Sequence, residues 1–401
     1  MPRERSVQGV DIANLDSAQM RRAGKELLSL ALMDARNHSL RWAAAFEAAP
    51  VTVAESALWE LGHAGWFQEH WIARNVQRQR GERADATHPK LASILPEADA
   101  VFARPGAAAA LPQAQTIRQY LVDSLEMTLE LLDAAAEDDD ALYFYRLALL
   151  REDALVERFA VQAQTLGLDT GLLAPRPANT PRAALLFPAT RWSLGSTAGG
   201  FVPDDEKWAH EVALPEFEID AQPVSWAQYL EFVEDGGYDE RRHWGAAGWA
   251  WAQAVGRRTP RHVDQMRQGV LQMRFGKPMR VPLTHPAVHV SWFEAEAWCR
   301  WAGRRLPGEA EWEAAALLGA TRGFRWGEVR EWTAGTLRPY PGFGGASPGQ
   351  VRADAASGTD APRVLRGASF ATRGRLRHAK SRLAEAPAHD AGFCGFRSCA
   401  F

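Results

Sequence analysis

The stretch HPAVHVSWFEAEAWCRWAGRRLPGEAEWEAA, residues 285–315, decides the fold class of this chain. Residues 287–292 alternate in hydropathy, which predicts a strand, and an amphipathic helix follows for which Ser291 is a typical N-cap. Gly303 predicts the end of that helix. A second helix is predicted after Gly308, because its first turns carry glutamates where free backbone amides favour carboxylates. The segment therefore combines a strand, a helix, a turn and a helix in one unit.

The N-terminal part of the chain shows apolar residues three and four positions apart, the spacing typical of amphipathic helices. The segments with this spacing are 26–46, 56–76, 116–136 and 141–167. Four long amphipathic helices predict a helical bundle. Proline and glycine punctuate residues 78–112, which predicts a crossing loop between the second and third helices.

The C-terminal part has a different composition. Short strand-like segments alternate with glycine-rich loops, and twelve of the 16 tryptophans lie beyond residue 191. Each buried aromatic side chain removes about 150–250 Å² from water, so these tryptophans are expected to anchor a core of short strands and helices. The proline-rich segment 174–190 predicts a linker. We therefore expect a helical bundle at 1–173 and a second domain at 191–401.

Size, charge and cysteine content narrow the class of protein. A chain of 401 residues exceeds one compact core, which agrees with two domains. Its 46 Lys+Arg and 49 Asp+Glu give a net charge of −3, so we expect no nucleic-acid partner. No apolar run reaches the roughly 18–20 residues of a membrane span, and the first residues lack an apolar signal core, so a cytoplasmic protein without membrane contact is expected. The three cysteines have no metal-site spacing and predict buried free thiols.

Three segments together resemble a known family. The unit at 285–315, VLRGASFAT at 364–372 and the terminal GFCGFRSCAF resemble the C-type-lectin-like domain shared by formylglycine-generating enzymes and ergothioneine sulfoxide synthases. In the ergothioneine sulfoxide synthases a DinB-like four-helix bundle precedes this domain, and the order and lengths of the two parts are similar here. The resemblance implies an α+β fold made of these two domains.

Within that family, several segments are most similar in amino-acid sequence to those of selenoneine synthases. Examples are LSLALMDARNHSLRW at 28–42 and GGFVPDDEKWAHEV at 199–212. The resemblance implies an O2-dependent oxidoreductase that uses Fe(II) to join a selenium or sulfur donor to the imidazole of hercynine, the betaine of histidine. The implied partners are therefore small molecules: a hercynine-like betaine, a selenium or sulfur donor, and O2.

In the family that this chain resembles, three histidines hold the iron, one in a WxLGHxGxFxExW-like helix and two in an HExxHxE helix. The first pattern is present at 59–71 and places His63 at the ligand position. The second is altered at 151–157, which keeps both glutamates but has Arg151 and Leu155 in place of the histidines. Leucine cannot ligate a metal, and arginine brings a fixed positive charge that repels a cation.

Two repairs of the metal site and its complete loss remain open from the sequence. His63 could act with Asp153 and Glu157, which lie four positions apart on one helical face, or with His38 from the first helix. Alternatively, the carboxylates pair with Arg151 or solvent and the pocket holds no iron. Glu152 is expected to be a surface charge. Without iron, the chain would be an altered homologue that binds a betaine or assists an active paralogue.

The resemblance also implies residues for proton donation and substrate binding. The family uses a tyrosine of the lectin-like domain as proton donor, and Tyr340 in RPYPGF is the nearest candidate, with a packing role as the alternative. The betaine-binding R-N-W/F-x-x-P pattern of relatives is altered to RLAEAP at 382–387, where a carboxylate could still attract a quaternary ammonium. The residues expected to bind the substrate are Arg382, Glu385, Phe343 and Arg397.

Further expectations concern the place of the site and the other functions of the fold. The substrate site is expected between the domains, where the His63 helix and the 151–157 helix face loops around 338–345 and 382–397. Formylglycine generation is not expected, because Thr372 and Arg377 stand where that activity needs copper-binding cysteines. The loops of the lectin-like domain contain Asp, Glu and backbone oxygens of the kind that bind a structural Ca²⁺, although the sequence does not place such a site. Arg330, where relatives have tryptophan, is taken as a surface change.

Overall fold

The computed structural model describes residues 14–47, 49–106, 110–173, 180–350 and 361–401. Over these ranges an N-terminal helical region precedes a mixed region of short strands and helices, so the predicted α+β class is confirmed. The helices are α1 (Lys25–Ala45), α2 (Val51–Gln68), α3 (Ala98–Phe102), α4 (Ala114–Asp133), α5 (Asp139–Leu166), α6 (Trp226–Glu234), α7 (Ala246–Val255), α8 (Trp292–Trp301) and α9 (Glu309–Leu318).

The strands are short. They are β1 (Leu185–Phe187), β2 (Thr190–Leu194), β3 (His210–Leu214), β4 (Phe217–Ile219), β5 (Val263–Met266), β6 (Val270–Arg274), β7 (Lys277–Val281), β8 (Arg330–Thr336), β9 (Arg363–Arg366), β10 (Arg382–Glu385) and β11 (Cys394–Phe396). The largest sheet of the described part has the order β10-β9-β8-β11, with β8 and β11 parallel and the other pairs antiparallel. The remaining strands form the pairs β1–β4 and β2–β3 and the antiparallel meander β5-β6-β7.

The four long helices α1, α2, α4 and α5 form the bundle that the apolar spacing predicts. α1 packs along α5, and α2 packs along α4. α5 is the central helix, because every residue from 141 to 150 is buried. Asp138 caps its first turn by accepting a hydrogen bond from the Ala141 amide at 2.9 Å, and Gly167, with a left-handed φ of 71°, ends it.

The crossing loop predicted at 78–112 contains more structure than expected. It includes the 3-10 turn Arg78–Arg83 and the short helix α3. α3 packs directly on α2, since a Cβ atom at Gly62 would lie only 2.2 Å from the Phe102 ring. The two elements are also joined by the Trp59 indole, which donates to the Val101 carbonyl at 2.9 Å. Glycine at position 62 thus permits the contact that brings the end of α3 to the middle of α2.

The helices predicted after Ser291 and Gly308 are confirmed as α8 and α9. Ser291 accepts a hydrogen bond from the Glu294 amide at 3.2 Å, and the Glu294 carboxylate accepts one from the Ser291 amide at 2.8 Å. This reciprocal pair is a capping box. Gly303 follows α8 with a φ of 64°, as a residue that ends a helix is expected to do.

The strand predicted at 287–292 is not formed. The Ala287 amide donates to the Val224 carbonyl at 2.9 Å, while the Val290 amide donates to the Cys394 carbonyl at 3.1 Å. The segment therefore passes between two different partners instead of following one. His289 also has a φ of 63°, which breaks an extended conformation. The alternating hydropathy reflects burial here and not strand pairing.

The predicted linker is shorter than expected at its C-terminal side. Residues 185–187 form β1, whose register pairs Leu185 with Ile219, and β2 begins at Thr190. Residues 174–179 of the predicted linker lie outside the described ranges. We keep the division into domains at 1–173 and 191–401 as a proposal, although β1 and Thr190, within the predicted linker at 174–190, pair with strands of the second domain.

The hydrophobic core is continuous across the two regions. The larger buried cluster includes residues of the bundle such as Trp42 and residues of the C-terminal region such as Trp332. A smaller cluster surrounds Trp312. Of the twelve C-terminal tryptophans, six are buried, among them Trp312 and Trp332, and the other six are partly exposed.

The other expectations from composition can be compared with the structure in part. The three cysteines are buried free thiols, as predicted, and they are Cys299, Cys394 and Cys399. Over the ranges that the structure describes, no helix has both the length and the apolar character that a membrane crossing requires.

Candidate functional site

His63 faces a cavity of about 310 Å³ between α2 and α5. The residues of the wall that carry the argument below are Glu60, His63 and Phe67 from α2 and Arg151, Leu155 and Arg158 from α5. The cavity is therefore built by the two helices that contain the altered metal motif. We refer to it as the His63 cavity.

The His63 imidazole is held in one tautomer. Its Nδ1 lies 2.8 Å from the carbonyl oxygen of Phe102, the last residue of α3, whose carbonyl has no partner within that helix. Because a carbonyl oxygen can only accept, Nδ1 donates and Nε2 keeps its lone pair. The ring stacks between Trp59, at 5.1 Å, and Trp66, at 5.5 Å between ring centroids. Burial lowers the pKa of His63, so the imidazole is neutral at pH 7.

Arg151 occupies the side of His63 that a metal ion would need. Its Nη2 lies 3.4 Å from the Nε2 of His63, and its guanidinium carbon lies 4.3 Å from the centroid of the Phe67 ring. Burial lowers the pKa of Arg151 to about 10, so the guanidinium still carries its charge at pH 7. Leu155, at the other altered histidine position, is 1% exposed and offers no ligand atom.

The two carboxylates expected to replace the missing histidines are bound by arginines of the C-terminal region. Asp153 accepts from Nε and Nη2 of Arg375 at 2.6 and 2.8 Å. Glu157 accepts from Nε and Nη2 of Arg330 at 2.9 and 2.6 Å and from the Ser369 hydroxyl at 2.8 Å. Such two-point pairs satisfy and neutralise a carboxylate. Arg330 is therefore not a surface change, as expected from the sequence, but an ion-pair partner with only 12% of its side chain exposed.

The remaining expectations for α1 and α5 also differ from the structure. Glu152 was expected at the surface, yet it is 3% exposed and accepts hydrogen bonds from Arg36 and Ser39, each at 2.7 Å. His38 is engaged within α1, where the Trp42 indole donates to its Nε2 at 3.3 Å and Arg41 contacts its Nδ1 at 3.1 Å. His38 therefore does not supplement the His63 cavity.

The donor set of the cavity does not fit Fe(II). In the described parts of the chain no three His, Cys, Asp or Glu side chains converge as a metal site would require, so the predicted ligands His63, Asp153 and Glu157 are not brought together. One neutral imidazole that accepts from a guanidinium cannot provide the facial set that a non-haem iron uses. The structural Ca²⁺ remains a prediction.

Tyr340 and Arg382 form one buried cluster away from His63. Tyr340 is 7% exposed, and the guanidinium carbon of Arg382 lies 4.0 Å from its ring centroid. The Tyr340 hydroxyl donates to Glu309 at 3.2 Å, and Arg382 donates to the same carboxylate at 2.7 and 3.0 Å. Burial raises the pKa of Tyr340. These contacts favour the packing role that was the alternative to proton donation.

The other predicted substrate residues are also placed apart from His63. Arg397 is fully buried and donates to both carboxylate oxygens of Glu331 at 2.5 and 2.8 Å, which is a core ion pair. Glu385 ends β10 with a carboxylate oxygen 3.7 Å from Nδ1 of His389. Phe343 is partly exposed in a loop. As far as described residues define it, the wall of the His63 cavity includes none of the predicted substrate residues.

The interface between the two regions includes segments beyond the expected loops at 338–345 and 382–397. α5 contacts the start of β8 through Arg330 and the turn after β9 through Arg375. A further buried pair joins Arg21 to Glu206 at 2.7 Å. The sequence contained one signal for this arrangement, the arginines concentrated in RGRLR at 373–377.

Comparisons with known proteins agree with this architecture. A family model described as sulfatase-modifying factor enzyme 1-like domain matches residues 169–328. The hercynine oxygenase of Mycolicibacterium smegmatis is 30% identical over 376 residues, which cover 78% of this chain and 83% of that protein. The hercynine oxygenase of Mycolicibacterium thermoresistibile is 28% identical, covering 79% of this chain and 81% of that protein.

More distant similarities concern parts of the chain. The formylglycine-generating enzyme of Streptomyces coelicolor is 34% identical over 38% of this chain and 54% of its own length. Among solved structures, PvdO from Pseudomonas aeruginosa aligns at 18% identity with a TM-score of 0.36, covering 56% of this chain and 99% of that one.

Proposed function

This chain belongs to the hercynine oxygenase family, and on that basis we propose that it takes part in the oxidative modification of hercynine or a closely similar imidazole betaine. The observation that carries the proposal is the extent of the similarity. At 30% identity it covers 78% of the chain, a larger share than either the bundle or the C-terminal region alone, so it includes residues of both. A shared fold without this coverage would not support a shared substrate.

The finer form of this activity is Fe(II)-dependent formation of a C–Se or C–S bond on the imidazole. In support of it, His63 retains the tautomer of a ligand, with Nδ1 held by the Phe102 carbonyl and Nε2 unprotonated on the side of the cavity. Against it, neither Arg151 nor Leu155 supplies an electron pair that could coordinate iron. Arg151 instead places a fixed positive charge beside the neutral imidazole of His63.

A second candidate function is betaine binding without oxidation. The specific observation that favours it is the contact between Arg151 and His63, because the guanidinium stands on the lone pair that iron would use. In this form the chain would sequester or present the betaine to another protein. The two candidates share the ligand and differ in whether it is chemically changed.

One assay separates the candidates. Purified protein is incubated in air with hercynine and cysteine or selenide as donor, with and without added Fe(II), and products are analysed by mass spectrometry. A product carrying selenium or sulfur on the imidazole supports the oxidative function. A rise in melting temperature with hercynine and no product supports the binding function, since a ligand that binds only the folded state stabilises it.

Two variants serve as controls for that assay. His63→Ala removes the imidazole of the cavity, and His38→Ala removes a histidine of the same bundle that lies in α1 and is engaged there. Activity or binding carried by the cavity is expected to fall with His63→Ala and to persist with His38→Ala. If the wild-type protein gives no product and shows no melting shift with millimolar hercynine, the proposed function is overturned.

A further inference from the structure

The guanidinium of Arg151 has no carboxylate partner within the ranges that the structure describes. Its contacts there are the Nε2 of His63 and the face of Phe67. The neighbouring Arg158, one of the other charged residues of the wall, is paired with Glu60 at 2.9 Å. The two arginines line the same cavity, but Arg158 is paired and exposed, whereas Arg151 is unpaired there and only partly exposed.

The charges around the cavity leave one positive charge uncompensated. Arg158 and Glu60 offset each other, and the carboxylate of Glu152 is taken by Arg36. His63 is neutral and contributes no charge. What remains is Arg151, whose guanidinium does not lose its proton at physiological pH. Arg151 is only partly exposed, so water screens this charge incompletely and an anion in the cavity would stabilise it.

We propose that the His63 cavity binds a carboxylate group of a small molecule, held by the guanidinium of Arg151 at the place where the family resemblance implies a cation. The inference concerns the charge of the ligand and does not require that the ligand be hercynine. It reverses the sign of the ligand that the altered HExxHxE motif would suggest.

The contacts of Arg151 prepare it for this role. His63 accepts from one end of the guanidinium, and the Phe67 ring lies against its face, so the side chain is fixed before a ligand arrives. The planar fork of a guanidinium matches the two oxygens of a carboxylate and donates to both at once. A cation fixed in this way selects for an anion of that shape.

The size and lining of the cavity define the rest of the ligand. A volume of about 310 Å³ is at the lower end of small-molecule sites, which span roughly 300–1,000 Å³, and suits a compound of amino-acid size. Ala64, Ala148 and Leu155 form an apolar part of the wall. The expected ligand is therefore a small carboxylate whose remaining atoms are largely uncharged or aliphatic, or the carboxylate end of a betaine.

The test is a titration by ligand-observed NMR with acetate, hercynine and hercynine methyl ester. Acetate probes a free carboxylate, and the ester removes the carboxylate charge of the betaine. We expect Arg151→Gln to weaken acetate binding about tenfold or more, because a charge-assisted hydrogen bond is lost. Arg158→Gln is the matched control, since it removes a paired guanidinium from the same wall, and it is expected to change the affinity less than about twofold.

A conservative variant protects the test against misfolding. Arg151→Lys keeps the charge and loses the planar fork, so it is expected to bind acetate more weakly than wild type and more tightly than Arg151→Gln. Circular dichroism confirms that each variant is folded. If Arg151→Gln is unfolded, Arg151→Lys decides the test. An acetate affinity of Arg151→Lys equal to that of wild type and of Arg158→Gln then overturns the proposal.

The hercynine titrations separate this inference from the proposed function. Binding of hercynine, loss of binding for its ester, and loss of both acetate and hercynine in Arg151→Gln support the carboxylate site with the betaine as its source. Acetate binding without hercynine binding supports the carboxylate site and overturns hercynine as the ligand. Equal acetate affinity in wild type and Arg151→Gln, or hercynine binding that Arg151→Gln leaves unchanged, overturns the carboxylate site and leaves the hercynine proposal intact.

Discussion

Nη2 of Arg151 lies 3.4 Å from Nε2 of His63, the atom through which this histidine would bind a metal. The lone pair of Nε2, which would coordinate a metal ion, instead accepts a hydrogen bond from the guanidinium. His63 is nevertheless held in the tautomer that a metal-binding histidine uses, because the Phe102 carbonyl accepts from Nδ1 at 2.8 Å. The change in the cavity therefore lies in α5, and α2 has kept its part of the site.

Restoring the two histidines of α5 is expected to restore metal binding. In Arg151→His/Leu155→His the new imidazoles lie four positions apart on one face of α5, opposite His63. We expect the double variant to retain about one Fe(II) per chain after anaerobic loading and desalting, measured by elemental analysis. Adding His63→Ala should remove that iron. Stoichiometric iron in the wild-type protein that disappears in His63→Ala would contradict our interpretation of the cavity.

Gly62 is expected to be required for the position of α3. A Cβ atom there would lie 2.2 Å from the Phe102 ring, so Gly62→Ala has to displace α3 and with it the carbonyl that holds His63. We expect a loss of about 1–3 kcal/mol in the free energy of unfolding, measured by urea denaturation. Gly344→Ala is a suitable control, because no atom lies within 4 Å of a Cβ there. Equal stability of the two variants would argue against this packing.

The buried pair of Asp153 and Arg375 is expected to be important for stability. Asp153 is fully buried, and Asp153→Asn leaves Arg375 with Asp34 as its remaining carboxylate partner. Breaking a buried ion pair costs about 3–5 kcal/mol, and the contact with Asp34 should reduce this toward the lower limit. The control is Asp169→Asn, whose exposed pair with Lys277 is expected to leave the melting temperature unchanged. Similar melting temperatures for both variants would show that the buried pair contributes little.

Glu294 is expected to make stability depend on pH near neutrality. Burial raises the pKa of Glu294 from 4.5 to about 7 in the folded chain, although Tyr238 donates to it at 2.6 Å. The folded state therefore holds a proton that the unfolded state releases, so the contribution of Glu294 to stability should fall as pH rises from 4.5 to about 7. The full change amounts to roughly 3 kcal/mol. Buried histidines such as His289, whose pKa burial lowers to about 3, change stability in the opposite sense, so the measure is the difference in melting temperature between wild type and Glu294→Gln from pH 5 to 8. A difference that stays constant over that interval would contradict the assignment.

Local signals in the sequence were sufficient for much of the fold. Ser291 and Gly303 act on their own neighbours, which is why α8 was predicted with its ends. Apolar spacing predicted the bundle for the same reason. The strand at 287–292 was wrong because hydropathy reports which side chains are buried and not which backbone they pair with. His289, with its left-handed φ, could not be recognised from composition.

The candidate site was predictable only on the side of α2. The motif around His63 is contiguous, so the sequence placed this residue correctly in the bundle. The partners of the α5 carboxylates are remote: Arg375 lies 222 positions beyond Asp153, and Arg330 lies 173 positions beyond Glu157. The arginine-rich segment 373–377 does not indicate which carboxylate its arginines bind, and no local pattern marks Arg330 as paired. The sequence thus identified Asp153 and Glu157 as available carboxylates, and the tertiary structure had already assigned them to arginines.

The ion pairs of α5 also determine how molecules can reach its cavity. Glu152, Asp153 and Glu157 are tied to α1, to the turn after β9 and to β8, respectively. A hinge motion that parted the bundle from the C-terminal region would have to separate the last two of these pairs in a poorly screened environment. Because the described residues that line the His63 cavity belong to α2 and α5, we expect a small molecule to reach His63 while the two regions remain docked, without the slower opening of domains.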